Sequence, residues 1–234
     1  MTSLPALVLF DLDGTLVDPA GAITGGISRA LQLAGLPVPR QDVLDSMVGP
    51  PLGQSLREKA GVPESDLAEV IRLYRTEYRL SGMAASHVYP GVEGLLQQLK
   101  TEGTILAVAT QKPTPIADEL LRVQGLTAYF DSIHGAGFDD PGSSTAADAG
   151  KIPILEEALR QYAGGYGSVV MVGDRHYDIT AAVHHGIPAI GVSWGFAADG
   201  ELEAAGAAAV VVNAQELAEE LARQQAAVTQ GTER

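Results

Sequence analysis

Two carboxylates sit one residue apart in Asp11-Leu12-Asp13-Gly14-Thr15, directly after the apolar run Leu7-Val8-Leu9-Phe10. A pair so spaced can share nucleophilic and acid/base work, or hold a cation between them. Gly14 permits close backbone approach at such a turn. Asp-Gly is also a common turn pair, so the pentapeptide alone fits a solvated Asx-turn too. Further acids appear at Asp174 and Asp178, within Gly173-Asp174-Arg175-His176-Tyr177-Asp178 after the run 169–172. Taken alone, these could simply cap and charge a helix start. The run 105–109 ends in Thr110-Gln111-Lys112, where a hydroxyl can meet an anionic oxygen or merely cap a helix. Lys151 stands at a helix start, where the helix dipole disfavours a cation, so another cause is needed for it there.

Positioning these groups calls for a parallel sheet. Short, nearly all-apolar runs at 7–10, 105–109, 169–172, 189–192 and 209–212 have the composition of strands covered on both faces. Amphipathic stretches at 92–101, 116–124, 152–162, 178–185 and 215–225 predict the covering helices. In an open sheet of this kind ligands bind beyond the carboxyl ends of the strands, where the acids fall. From about Pro19 to Ser86 no strand is expected. Ile23, Ile27, Ala30, Leu31 and Ala34 form one helical face, and Leu67, Val70, Ile71, Tyr74 and Tyr78 another. The expectation is an α/β chain: a Rossmann-like parallel core over 1–17 and 87–234, with an all-helical cap over 18–86. The crossings near 17–20 and 82–90 would be hinges. A Gly-, Ser- and Ala-rich loop is expected over 135–150, and fraying after about Ala226.

Composition narrows the function. The chain has 234 residues, no cysteine and a formal net charge of −14. Thiolate metal sites and disulfides are thereby excluded. So acidic a surface argues against a nucleic acid polymer as partner. No apolar run is long enough to span a bilayer, and no basic leader precedes the first strand. A cytoplasmic protein without membrane contact is expected. Its oligomeric state is not legible.

Together these features resemble the haloacid dehalogenase superfamily, in particular its phosphatases with a helical cap after the first strand. Asp11-Leu12-Asp13-Gly14-Thr15 and Gly173-Asp174-Arg175 with Asp178 match the more specific motifs. Thr110 and Lys151 match the two weaker ones. Val48-Gly49-Pro50-Pro51-Leu52, Tyr89-Pro90-Gly91 and Gly191-Val192-Ser193-Trp194-Gly195 carry a further likeness to the phosphoglycolate phosphatase and 5′-nucleotidase branches. The resemblance implies Mg²⁺, bound by Asp11, the backbone carbonyl of Asp13, and Asp174, with Asp178 orienting a water or Lys151. It also implies an Asp11 nucleophile, Asp13 as general acid and base, and phosphate contacts from Thr110, Gln111, Lys151 and the backbone of Leu12 and Asp13. A cation has a physical reason to be there. Two like charges about 4 Å apart cost on the order of 4 kcal/mol at an effective dielectric of ~20, and hard oxygen ligands favour Mg²⁺.

The substrate implied is a small phosphorylated metabolite. The stiff loop at Gly49, Pro50 and Pro51 is the candidate for substrate selection, or an ordinary inter-helix turn. A 5′-nucleotidase, a pyrophosphatase, a sugar-phosphate mutase and a non-catalytic phosphate-binding protein stay open. Asp13 argues against a dehalogenase, and Lys59, on a solvated helix face, against a phosphonate hydrolase. Arg175 is read as pairing with a nearby acid. His176, His184 and His185 are read as surface groups, and Trp194 as packing.

Overall fold

The structure, a computed structural model, describes residues 4–19, 21–137 and 150–231, with side chains as far as 226. Its frame is a six-stranded parallel sheet in the order β5-β4-β1-β6-β7-β8. The strands are β1 (Ala6–Phe10), β4 (Ile105–Pro113), β5 (Ser132–Ala136), β6 (Ser168–Gly173), β7 (Ala189–Val192) and β8 (Ala209–Val211). β1 is central. Its Phe10 lies opposite Val108 of β4 on one side and Val172 of β6 on the other.

Alternation along β1 divides the core. Leu7 and Leu9 pack with Ala107, Ala109 and Met171 against Ile154, Leu155 and Ala158 of α8 (Ile152–Gln161) and Ile179 of α9 (His176–His184). Val8 and Phe10 face the other layer, with Leu96 of α6 (Val92–Thr101), Leu120 of α7 (Thr114–Val123) and Leu217 of α11 (Ala214–Gly231). Each fully buried Leu contributes about 1.5–3 kcal/mol, so the helices are fixed where their N-termini approach the strand ends.

Between β1 and β4 the chain leaves the sheet. β2 (Val17–Asp18) and β3 (His87–Val88) pair antiparallel, with Val17 opposite Val88 and Asp18 opposite His87. They form a two-stranded neck at the two crossings expected as hinges. Beyond the neck lies a helical insertion: α1 (Ala22–Leu33), α2 (Gln41–Ser46), α3 (Leu52–Glu58), α4 (Glu64–Glu77), a π turn at Tyr78–Gly82, and the short α5 (Met83–Ala85). Ile27 and Leu31 of α1 and Val70 of α4 are buried there, and this apolar cluster is continuous with the Val8 and Phe10 face of the sheet.

Several boundaries differ from the sequence expectations. β5 occupies Ser132–Ala136, where Gly135 and Ala136 were expected in a loop. Gly135 belongs to the strand because a Cβ there would come within 2.5 Å of the Lys112 carbonyl, so only glycine admits this close pairing. The rest of that loop, 138–149, lies outside the described residues. β4 continues past 109 to Pro113 and carries Thr110, Gln111 and Lys112 itself. α3 begins at Leu52, directly after the proline loop. α9 starts at His176, because Asp178 caps it from inside by accepting the Arg175 N–H at 3.1 Å. α11 runs on to Gly231 instead of ending near 226.

Candidate active site

All six residues singled out by type and spacing are buried at the carboxyl end of the sheet. Asp11 is the first residue past β1, and its N–H still pairs with the Val172 carbonyl at 2.9 Å. Thr110 is on the neighbouring strand β4, and its hydroxyl oxygen accepts the Lys112 N–H at 3.2 Å. Asp174 follows β6. Asp178 is in the first turn of α9, and Lys151 caps α8.

The Lys151 ammonium lies 2.7 Å from Asp11 Oδ1 and 2.6 Å from Asp178 Oδ1. That bridge is the missing cause for a cation at a helix start. Carboxylate oxygens of Asp11, Asp174 and Asp178 lie within 4.8 Å of one another. Asp174 is held by the Thr15 hydroxyl at 3.2 Å and the Phe196 N–H at 2.9 Å. Two glycines make room for it. A Cβ on Gly14 would come within 2.2 Å of Asp174 Oδ2, and one on Gly195 within 2.4 Å. Gly14 also has φ +85°, a conformation that L side chains rarely adopt.

Burial in a crowded anionic pocket shapes the titrations. Asp174 is pushed well above the usual carboxylate range by burial and by the charges of Asp11 and Asp178. Asp178 is raised to about 6 by burial, against the pull of Lys151. Asp13 is also raised by burial, although Lys112 opposes this. Burial should lower Lys151, but Asp11 and Asp178 outweigh it and keep the ammonium charged. Carboxylate oxygens of Asp11, Asp174 and Asp178 converge here, and an all-oxygen donor set suits a hard divalent cation, which would relieve the crowding of like charge. The residues present therefore fit a divalent metal.

Over residues 8–192 the sequence matches the family of haloacid dehalogenase-like hydrolases. The chain belongs to that family. Among relatives of this chain, the tyrosine-protein kinase PtkA of Mycobacterium tuberculosis is 41% identical over 192 residues, 82% of this chain and 63% of PtkA. The chain thus spans less than two thirds of that relative's length. A 5′-nucleotidase of Pseudomonas aeruginosa is 34% identical over 84% of this chain and 86% of its own. A phosphoglycolate phosphatase of Agrobacterium fabrum is 34% identical over 84% of each. The crystal structure of a predicted phosphatase from Clostridium acetobutylicum superposes with a TM-score of 0.83 at 35% identity, covering 94% of this chain and all of the other.

Several residues of the site escaped the sequence analysis. Lys112 Nζ lies 2.9 Å from Asp13 Oδ2 and 3.2 Å from the Tyr78 hydroxyl of the insertion. Its signal was present: Lys112 is two residues from Thr110, the spacing that returns to one face of a strand. Glu201 of α10 (Glu201–Ala204) takes Arg175 Nε at 2.9 Å, and Arg175 Nη1 donates to the Val48 carbonyl at 2.7 Å. No spacing along the chain announces that contact.

The remaining candidates sort plainly. Pro50 and Pro51 are buried, and Gly49, at φ +103°, lies against the Arg175 side chain. That loop therefore does reach the core. Gln111 Oε1 is buried without a hydrogen-bond partner among the described residues, and only the NH₂ end of that amide can meet a phosphate oxygen. Leu12 is fully buried, and its carbonyl takes the N–H groups of Leu16 and Val17. Lys59 donates to the Ser46 carbonyl at 2.5 Å. His176 pairs with Glu201, and His185 with the Ile152 carbonyl. Trp194 donates to the Thr15 carbonyl at 3.1 Å and packs near Tyr89.

Proposed function

We propose that this chain is a Mg²⁺-dependent phosphatase of small phosphate monoesters, phosphoglycolate phosphatase-like, working through an aspartyl-phosphate on Asp11. The observation that carries this reading is the Lys151 bridge between Asp11 and Asp178, with Asp174 alongside and Asp13 two residues beyond Asp11. Lys151 fixes the Asp11 carboxylate, which attacks phosphorus in line while the ester oxygen departs. Asp13 gives that oxygen a proton, then takes one from the water that hydrolyses the acyl phosphate. Thr110, Lys151 and the backbone N–H groups of Leu12 and Asp13 hold the equatorial oxygens. Asp11, Asp174 and the Asp13 carbonyl would hold the ion, which when bound offsets the charge developing on the phosphoryl oxygens. Both Asp178 oxygens already accept hydrogen bonds, from Lys151 and from the Arg175 N–H, which suits an orienting role rather than direct ligation.

The helical insertion, residues 18–86 in this reading, serves as a cap over the core of 1–17 and 87–234, with the loop at Gly49, Pro50 and Pro51 helping to select the substrate. Names of the relatives include a phosphoglycolate phosphatase and a 5′-nucleotidase, and both substrates are small monoesters. No helix among the described residues is long and apolar enough to cross a membrane, and we place the enzyme in the cytoplasm.

The test is a screen of phosphate esters with the purified protein and Mg²⁺. Asp11→Asn should lower turnover by at least ~10³-fold with an unchanged circular dichroism spectrum. EDTA should abolish turnover and added Mg²⁺ restore it. Mg²⁺ should also raise the Tm of the wild type but not of Asp174→Asn. Retained activity in a folded Asp11→Asn protein refutes the nucleophile.

A further inference from the structure

We propose that Lys112 and the insertion's Tyr78 are positioning residues that hold Asp13 ready to protonate the leaving group, so that closure of the insertion over the core completes the acid. The inference rests on the phosphatase reading above. Asp13 presents two unequal oxygens. Oδ2 is tied to Lys112 Nζ at 2.9 Å. Oδ1 is buried and has no hydrogen-bond partner among the described residues. A buried acceptor left open in this way marks a place where a partner is missing, and the ester oxygen of a substrate is the partner the reaction requires. Oδ1 is therefore the oxygen left free to face the ester oxygen and, in this proposal, to deliver the proton. As the bond from Asp11 to phosphorus forms and the ester P–O bond breaks, the Oδ1 proton passes to the departing oxygen, which leaves as the neutral alcohol. Asp13 is left as a carboxylate with Oδ2 still on Lys112.

Lys112 touches none of the transferring atoms, and its own place is set from the insertion. Its ammonium donates to the Tyr78 hydroxyl at 3.2 Å and lies 4.4 Å from the centre of the Tyr78 ring. Tyr78 opens the π turn at the end of α4. Such turns shift the side chains after them out of α-helical phase. The ring is then wedged, stacked on Tyr74 at 5.7 Å on one side, with Gly82 on the other, where a Cβ would come within 2.6 Å of it. A fully buried, doubly packed tyrosine has one position to offer. Lys112 and Asp13 belong to the core and Tyr78 to the insertion, so the row Tyr78–Lys112–Asp13 exists only when the two parts meet. Swinging the insertion away would remove both the hydroxyl and the ring face from the ammonium and free Asp13 to turn.

Leaving groups distinguish this from a merely structural role. Departure of p-nitrophenolate needs little proton transfer, whereas departure of an alkoxide needs it fully. We would compare kcat/KM for p-nitrophenyl phosphate and glycerol 2-phosphate, since that ratio reports the step in which the leaving group departs. Lys112→Met should lose about tenfold or more beyond its loss on the aryl ester, a part of the ~10²–10⁴ that general acid catalysis supplies. Tyr78→Phe, which keeps the ring, should shift the ratio in the same direction by less, and it carries the test alone if Lys112→Met does not fold. Equal losses on the two esters, or a larger loss on the aryl ester, overturn the proposal while leaving the phosphatase reading intact. A wild type that turns over neither ester with Mg²⁺ overturns both.

Discussion

At the scale of single residues, the site depends on side chains that are missing as well as on those present. Asp174 fits because Gly14 and Gly195 both lack a Cβ. Gly195 is the cleaner test of the two, since its backbone is outside the left-handed region, although a Cβ there would press on the Gly14 carbonyl at 2.5 Å as well as on Asp174. Gly195→Ala should push the Asp174 carboxylate off its Thr15 and Phe196 partners. Disturbed supports of this kind weaken metal sites by about 10–100-fold, so the Mg²⁺ concentration for half-maximal activity should rise by that factor. A titration of activity against Mg²⁺ measures it, and an unchanged midpoint would mean that Asp174 is not a ligand. The two specific motifs were legible in the sequence because residue type and strand-end position coincide at Asp11, Asp13, Asp174 and Asp178. Lys112 was not singled out. Its spacing from Thr110 placed it on the same face of the strand, but the partners that give its charge a use, Asp13 and Tyr78, lie 99 and 34 residues away in the sequence.

Between elements, Arg175, the residue before α9, reaches the loop before α3 through the Val48 carbonyl, and Glu201 of α10 holds Arg175 in place. Burial pushes the Glu201 carboxyl up. Hydrogen bonds from the His176 N–H, Arg175, the Ala198 N–H and the His176 ring outweigh that and hold it down at about 2. A carboxyl depressed in the folded state stabilises the fold above its ordinary value of 4.5. That contribution is lost as pH falls from 4.5 toward 2. Glu201→Gln should therefore be less stable than wild type at pH 7, by about 2–4 °C in Tm for an ion pair of order 1 kcal/mol after solvent screening. The gap should narrow as pH falls below 4.5. A gap of constant size across that range would show that the loss is one of packing rather than charge. Sequence periodicity found the long helices α1, α4, α6, α7 and α8 but not α2 or α3. Six- and seven-residue helices hold barely two turns, too short for a period to repeat.

For the whole molecule, a net charge of −14 works against capture of an anionic ester. At the strand ends Lys112, Lys151 and, in the proposed mechanism, Mg²⁺ offset the local carboxylates, whereas the chain as a whole keeps its acidic excess. Salt separates the two fields. Raising ionic strength from about 0.01 M to 0.1 M shortens the Debye length from ~30 Å to ~10 Å. This screens the distant acidic surface more than the buried site. Accordingly, kcat/KM should rise over that range when an inert salt is added at fixed free Mg²⁺. A fall would mean that the acidic surface does not govern approach.

The sequence by itself determined a parallel α/β core, a helical excursion after the first strand, and the acids at the strand ends. Each of these is written in short-range terms: an apolar run of strand length, a 3.6-residue period, an aspartate placed just beyond. Only the tertiary structure decided which charges face each other. Lys151 reaches Asp11 across 140 positions of sequence, Lys112 joins Asp13 to Tyr78, and Arg175 reaches Val48. Such pairings follow from strand order and from how the insertion lies on the core. Those in turn are set by burial of apolar surface summed over the whole chain, which no local window of sequence records.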